Sequence, residues 1–166
     1  MKTPHIRPLT QSDLDGLPAI KDDLSVHTQR FRQQQEGSAL YLGAFSDECP
    51  AGFVLLSLEN KRDVLPYTGQ EPCADMIDLL VLPGLRGQGI GTALILACED
   101  ACRERGIPWL SLDVNPADNP AAKRLYERLG YRAVGELHLD GVYKYIDEHG
   151  ASKEYEDWCI DMVKRL

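Results

Sequence analysis

Asp78-Leu-Leu-Val-Leu-Pro-Gly-Leu-Arg-Gly-Gln-Gly-Ile-Gly-Thr92 is the stretch that decides the fold. It begins as a continuous apolar run that is typical of a buried strand, and it turns at Pro83-Gly84. A helical pattern of apolar residues follows and continues to about Arg105, where Gly106 and then a proline end it. The stretch therefore predicts a strand, a turn rich in glycine and a helix.

The turn has the composition of an anion-binding site. The first N–H groups of a helix are unpaired and carry partial positive charge, so they attract anions. Gly87, Gly89 and Gly91 have no Cβ, which lets a phosphate approach the backbone itself, and Arg86 adds a cation beside them. We therefore predict a cradle for a phosphate or diphosphate at this turn.

Three other interpretations of the turn are less consistent with its residues. A Walker motif would need Gly-Lys-Ser/Thr after the glycines, and the chain lacks it. A dinucleotide fold needs Gly-x-Gly-x-x-Gly, which differs in spacing, although Asp113 ends the next predicted strand about where a ribose-binding acid would stand. Only about fifty residues follow Asp113, too few for the rest of a doubly wound sheet. A tight turn without a ligand would need only one glycine.

Two motifs carry a resemblance to a known family. Arg86-x-x-Gly89-x-Gly91 resembles the acyl-CoA-binding signature of the GNAT superfamily of N-acetyltransferases. A second signature follows as Asn119-Pro-Ala-Ala-Lys-Arg-Leu-Tyr-Glu-Arg-Leu-Gly-Tyr131, and the resemblance is sharp over residues 75–131. It implies a single α/β (α+β) domain over residues 1–166. The expected sheet is mixed and twisted, with about seven strands, helices on both faces and a gap between two central parallel strands.

The resemblance also implies acetyl-CoA as co-substrate. The residues expected to bind it are Leu79, Leu80, Val81, Arg86, Gly87, Gln88, Gly89, Ile90, Gly91, Thr92, Asn119 and Tyr126. Within this set the backbone of Leu79–Val81 would bind the pantetheine arm, and an N–H of Leu80 or Val81 would polarise the thioester carbonyl. Asn119 is also expected to cap its helix.

Three residues are predicted to be catalytic. By resemblance, Tyr126 would protonate the leaving thiolate, which a phenol with a pKa near 10 can do at neutral pH. An alkylamine must lose a proton before it attacks, and the carboxylates of Asp78 and Asp113 are the candidates for accepting it. Asp78 is preferred; either carboxylate could instead orient the ammonium group or pair with an arginine.

Composition limits the partners. The 166 residues contain 18 Lys+Arg against 26 Asp+Glu, a net charge of −8, which argues against a nucleic-acid surface and suits a cationic amine.

No apolar run is long enough for a membrane span, and no apolar segment follows Met1-Lys2, so a cytoplasmic protein is expected. Five cysteines without a secretion signal indicate reduced thiols. Cys98 and Cys102 lack further ligands at metal-site spacing, so no metal is expected.

The acceptor is harder to predict. The pocket is expected to be walled by two N-terminal helices, a polar loop at 59–74 and an aromatic, acidic segment at 138–157 that separates strands at 131–137 and 158–166. The acidic residues favour transfer to a small cationic primary amine. A protein amine, a non-catalytic acyl-CoA sensor on the same fold and a nucleotide-dependent oxidoreductase remain alternatives. Homodimers are common among such folds, so a homodimer is one of the partners to consider, and the sequence does not decide the oligomeric state.

Overall fold

Seven strands form one sheet in the computed structural model, which describes residues 4–166. They are β1 (His5–Pro8), β2 (Ala39–Ser46), β3 (Cys49–Ser57), β4 (Cys73–Val81), β5 (Trp109–Val114), β6 (Arg132–Ile146) and β7 (Ser152–Arg165). Their order across the sheet is β1-β2-β3-β4-β5-β7-β6, and β4 and β5 are the parallel pair among antiparallel neighbours. The mixed sheet of seven strands predicted from the sequence is confirmed.

Three α-helices and three 3₁₀ helices complete the fold of residues 4–166. They are α1 (Leu24–Gln35), α2 (Ile90–Glu104), α3 (Pro120–Arg128) and the 3₁₀ helices Gln11–Ala19, Arg62–Tyr67 and Pro83–Leu85. The central helix α2 has a left-handed glycine at each end, Gly89 with φ 83° and Gly106 with φ 67°. None of the helices in residues 4–166 has the length and apolarity of a membrane span.

Each face of the sheet carries its own core, because side chains along a strand alternate between faces. On β2, Leu42 and Ala44 belong to the cluster that packs on α2 and α3, whereas Tyr41 and Phe45 belong to the opposite cluster. Leu94 of α2 is fully buried in the first cluster. The 3₁₀ helix Gln11–Ala19 and α1 cover the second face, so helices lie on both faces as predicted.

The parallel strands β4 and β5 separate part of the way along. Their paired residues run from Cys73↔Trp109 to Met76↔Leu112, and no pairing continues beyond that point within the described chain. Just after the last pair, Asp78 has a left-handed backbone with φ 56°, and the register of β4 against β3 shifts. This bulge turns the end of β4 away from β5 and opens a gap. The predicted gap between the central strands is therefore present.

Two segments differ from the sequence prediction. The segment 138–157 lines the cavity as predicted, but it does not separate two short strands, because β6 continues to Ile146 and β7 begins at Ser152, which makes a long hairpin. The segment 59–74, predicted as a polar loop, is partly helical. It contains the 3₁₀ helix Arg62–Tyr67, whose Val64 is fully buried against Trp109 and Val163.

Candidate functional site

A cavity of about 960 Å³ occupies the gap between β4 and β5. All three predicted catalytic residues, Asp78, Asp113 and Tyr126, line it, although 48 positions of sequence separate the first from the last. Leu79, Leu80 and Asn119 of the predicted coenzyme-binding set line it as well. Val81 and residues 86–92 lie beyond it, where β4 ends and α2 begins. The fold therefore brings the three predicted catalytic residues to one cavity, and the predicted phosphate cradle follows β4 directly in the chain.

The phosphate cradle, residues 86–92, is open. Gly87 and Gly89 have φ values of 75° and 83°, and a Cβ added to either would meet no atom within 4 Å. The backbone N–H groups of residues 87–91 have no hydrogen-bond acceptor among residues 4–166. Arg86 is held at the rim, because its Nε donates to the Val81 carbonyl oxygen at 3.1 Å. Unpaired amides at a helix N-terminus are what an anion such as a diphosphate would bind.

Gly52 does not line the cavity, but it packs against the end of β4 that borders the gap, a role that the sequence analysis missed. A Cβ at this position would lie 2.7 Å from the carbonyl oxygen of Leu80 and 3.3 Å from Val81 Cγ2. Gly52 pairs with Val81 across β3 and β4, so its missing side chain lets the two strands approach at the point where β4 borders the gap.

Tyr126 is placed and protonated as a proton donor should be. Burial raises the pKa of its phenol to about 12, and the nearby charge of Asp113 raises it further in the same direction. The side chain lines the cavity and packs edge-on against Tyr131, with ring centroids 6.2 Å apart. At neutral pH the phenol therefore keeps its proton.

Asn119 begins α3, but the expected side-chain cap is absent. Its side chain makes no capping hydrogen bond, and it lines the cavity instead. The loop before α3 is held by Asn115, whose Oδ1 accepts from the backbone N–H groups of Ala117 and Asp118. Asn115 Nδ2 donates to Asp157 Oδ1 of β7 at 2.7 Å, so this loop is tied to the hairpin.

Asp78 is engaged by two cations. Lys21 Nζ and Arg30 Nη2 lie 2.5 and 2.8 Å from the same oxygen, Asp78 Oδ2. Burial alone would raise the pKa of this carboxyl group, but the hydrogen bonds and charges of Lys21 and Arg30 outweigh it and lower the pKa. A carboxylate held in this way is a weak proton acceptor.

A second charged group surrounds Lys61, which the sequence analysis did not identify. Its Nζ lies 2.8 Å from Asp161, 3.2 Å from Asp75 and 3.7 Å from Asp113. Burial raises the pKa of Asp75 to about 6, even though Lys61 and a hydrogen bond from Ser111 act to lower it. Lys61 thus fixes the carboxylates that flank the gap.

Further carboxylates make this side of the cavity acidic. We call Asp113, Asp140, Asp157 and Asp161 the acidic wall; all four line the cavity. Ligand atoms of Asp113, Asp140 and His138 lie within 4.8 Å of one another. Burial, with the charges of Asp113 and Asp157, raises the pKa of Asp140. Carboxylates packed this closely repel one another and favour a cation among them.

The gap between two parallel strands and the open cradle at the following helix are the two features that the resemblance to N-acetyltransferases implied. The model of the family described as Acetyltransferase (GNAT) family matches residues 7–131. The chain therefore belongs to the GNAT acetyltransferase family, which the two motifs at 86–91 and 119–131 had indicated.

Relatives at the sequence level match over part of their length. The chain is 44% identical over 73 residues to a mycothiol acetyltransferase of Nocardiopsis dassonvillei, covering 44% of this chain and 22% of that protein. It is 34% identical over 92 residues to the uncharacterized protein YxbD of Bacillus subtilis, covering 55% of each. The chain thus spans about a quarter to a half of the length of these relatives.

Solved structures share the whole fold. A ribosomal-protein-alanine N-acetyltransferase from Brucella melitensis superposes with a TM-score of 0.71 at 22% identity, covering 98% of this chain and 99% of that one. The PaiA N-acetyltransferase of Thermoplasma acidophilum, in complex with coenzyme A, gives 0.70 at 18% identity, covering 99% and 100%. At these identities the likeness shows the fold.

Proposed function

We propose that this protein transfers the acetyl group of acetyl-CoA directly to a primary amine, with a small cationic amine as acceptor. The observation that carries the proposal is the acidic cavity in the gap between β4 and β5, which Tyr126 and the end of β4 border. An ammonium ion is drawn to such a cavity by charge, and it meets there the groups that acyl transfer needs.

The open cradle is proposed to hold the coenzyme. The unpaired N–H groups of residues 87–91 would bind the diphosphate, with the guanidinium of Arg86 beside it and Gln88 and Thr92 at the edges of the site. The pantetheine arm would follow the backbone of Leu79–Val81 into the gap. An N–H of Leu80 or Val81 would stabilise the negative charge that develops on the thioester oxygen.

The chemical step must move two protons off the amine nitrogen. The neutral amine forms a bond to the thioester carbon, the carbon–sulfur bond breaks, the departing thiolate takes a proton from Tyr126, and the Tyr126 phenolate recovers a proton from the nitrogen of the new amide. Before the attack, the ammonium group gives its first proton to a carboxylate, which passes it to solvent. We assign that role to Asp113 rather than to Asp78, because Asp78 is neutralised by Lys21 and Arg30 whereas Asp113 lies 3.7 Å from Lys61 and close to Tyr126.

An amine-panel assay tests the proposal. Thiol release from acetyl-CoA is measured with mono-amines, diamines, amino acids and a peptide amine, together with the melting temperature in acetyl-CoA. Release that depends on a small amine supports transfer. A raised melting temperature without release for any amine would favour the non-catalytic sensor, and release with the peptide alone would favour a protein acceptor.

A variant identifies the proton donor. Tyr126→Phe should lower kcat by about 10²-fold or more and leave the Kd for acetyl-CoA within about twofold, since only the proton is lost. Tyr145→Phe, a change of the same kind on the exposed hairpin, is the control and should retain wild-type kcat. Equal turnover of Tyr126→Phe and wild type would remove Tyr126 from the mechanism.

A further inference from the structure

The charges that line the cavity are separated into a cationic end and an acidic end. Lys21 and Arg30 contact Asp78 on the β4 side of the gap, which is the cationic end, whereas the acidic wall belongs to β5, β6 and β7 on the other side. Resting on the proposed acetyl transfer to a primary amine, we infer that the cationic ammonium group of the acceptor is accompanied by a carboxylate on the same molecule, so that the acceptor is a small zwitterion. Lys21 would bind the carboxylate, and the acidic wall would attract the ammonium group.

The cationic end keeps one uncompensated charge. Lys21 and Arg30 both contact Asp78 Oδ2, so a single carboxylate serves two cations. The neighbouring Asp23 does not line the cavity, and its Oδ1 accepts from Ser25 Oγ and the Val26 N–H at the start of α1. Among the described residues that line the cavity, Asp78 is thus the carboxylate that pairs with this end.

Lys21 is the member of the pair that a ligand can reach. The Arg30 side chain is 11% exposed, and its guanidinium carbon lies 5.9 and 6.0 Å from the ring centroids of Tyr41 and Phe53. Those contacts fix Arg30 against the sheet. The Lys21 side chain is 34% exposed and lines the cavity, so its ammonium retains donors for an incoming anion.

The opposite end is matched to an ammonium group. The acidic wall contains four carboxylates, and Lys61 contacts two of them, Asp113 and Asp161, with Asp75 as its further partner. Asp113, which belongs to the wall, also faces Tyr126, where the reacting amine must lie. The amine of the acceptor therefore belongs at this end, and any second charge on the acceptor faces Lys21.

The sign of that second charge decides which amines fit. A diamine would bring a second ammonium towards Lys21 and Arg30, where like charges repel. A simple alkylamine would leave the Lys21 charge without a new partner. A carboxylate would gain a charge-assisted hydrogen bond from Lys21, so it alone uses both ends of the cavity. A volume of about 960 Å³ can hold such a small molecule.

Matched acceptors test the inference. The acetylation rate is measured for ω-amino carboxylates with two to five methylenes, for the primary amide of each and for the diamine of the same length. The number of methylenes is varied because we expect the cavity to favour one distance between the amine and the carboxylate. At the best length we expect the carboxylate to exceed its amide in kcat/KM by about tenfold, as one charge-assisted hydrogen bond would give, and to exceed the diamine further.

Variants of Lys21 link the preference to this residue. Lys21→Met should reduce the ratio of kcat/KM for carboxylate over amide to about one, and Lys21→Arg should restore most of it because the charge returns. Lys144→Met removes a lysine that is 76% exposed on the hairpin and should keep the wild-type ratio. A lysine that only supported the fold would lower both acceptors alike and leave the ratio unchanged.

The outcomes separate this inference from the proposed function. Equal rates for carboxylate and amide, or a ratio that Lys21→Met does not change, would overturn the zwitterionic acceptor and leave acetyl transfer standing. A raised melting temperature in acetyl-CoA with neither acceptor acetylated would also overturn it. If acetyl-CoA neither raises the melting temperature nor is consumed with any amine, the proposed function itself fails, and the inference fails with it.

Discussion

Gly89→Ala should remove most of the stabilisation of the protein by acetyl-CoA. Gly89 has φ 83°, and a Cβ there meets no protein atom within 4 Å, so the added methyl group would project into the open cradle. Alanine in a left-handed conformation costs about 1–2 kcal/mol, which lowers the melting temperature of a chain of this size by about 2–8 °C. That cost must be separated from the loss of binding.

The same helix supplies the matched control. Gly106 lies at the other end of α2 with φ 67° and open space around it, so Gly106→Ala should destabilise the empty protein by a similar amount. Gly106 is at the opposite end of α2 from the cradle, so Gly106→Ala should leave the binding of acetyl-CoA intact. The two variants therefore differ in ligand response and not in strain.

The expected size of the response follows from linkage. Acetyl-CoA at one hundred times its Kd stabilises wild type and Gly106→Ala by about 2.7 kcal/mol, a rise of about 5–11 °C. Losing one or two charge-assisted hydrogen bonds weakens binding by about 100-fold, so the same concentration would stabilise Gly89→Ala by only about 0.4 kcal/mol, or 1–2 °C. Thermal denaturation with and without acetyl-CoA measures both. An equal rise in all three proteins would refute the cradle.

Three further predictions concern stability and pH. Burial raises the pKa of Asp75 from 3.8 to about 6. The stabilising contribution of its protonated form is therefore complete below pH 4 and is lost as the pH rises through 6. Urea denaturation should show that the free energy of unfolding of wild type, relative to Asp75→Asn, falls by up to about 3 kcal/mol from pH 4 to 7. Parallel pH curves would contradict this. Gly52→Ala, whose Cβ would lie 2.7 Å from the Leu80 oxygen, should cost about 1–3 kcal/mol in urea denaturation and lower kcat, whereas an unchanged kcat would mean that β4 does not move. Leu94→Ala should cost about 2–5 kcal/mol by the same measurement, whereas Leu96→Ala on the exposed side of α2 should cost under about 1 kcal/mol, and similar losses would mean that the core is misassigned.

The central part of the fold could be predicted from sequence because local signals there agree. An apolar run, a glycine-rich turn and a helix with apolar spacing all indicate the same unit, and the structure places α2 at Ile90–Glu104 against the predicted 89–105. The hairpin could not be predicted in the same way. Residues such as Tyr143, Tyr145 and Tyr155 are exposed, and strands without a buried face lack the alternation that identifies them.

The charged contacts of the site were beyond sequence analysis for a different reason. Lys21 and Asp78 are 57 positions apart, and Lys61 contacts carboxylates from β4, β5 and β7. Such pairs depend on how strands are ordered in the sheet, which local patterns do not encode. Asp78 could therefore be identified as a cavity residue, but not as a carboxylate that two cations already hold.

The short union of β4 with β5 has a consequence for how the protein moves. Four residue pairs, from Cys73↔Trp109 to Met76↔Leu112, join the two halves of the sheet across this boundary in the described chain. We therefore expect the two halves to move relative to each other about these pairs, and we expect deuterium to enter most quickly at the open ends of the two strands. A ligand bound in the gap would contact both halves of the sheet and should slow deuterium exchange in both of them.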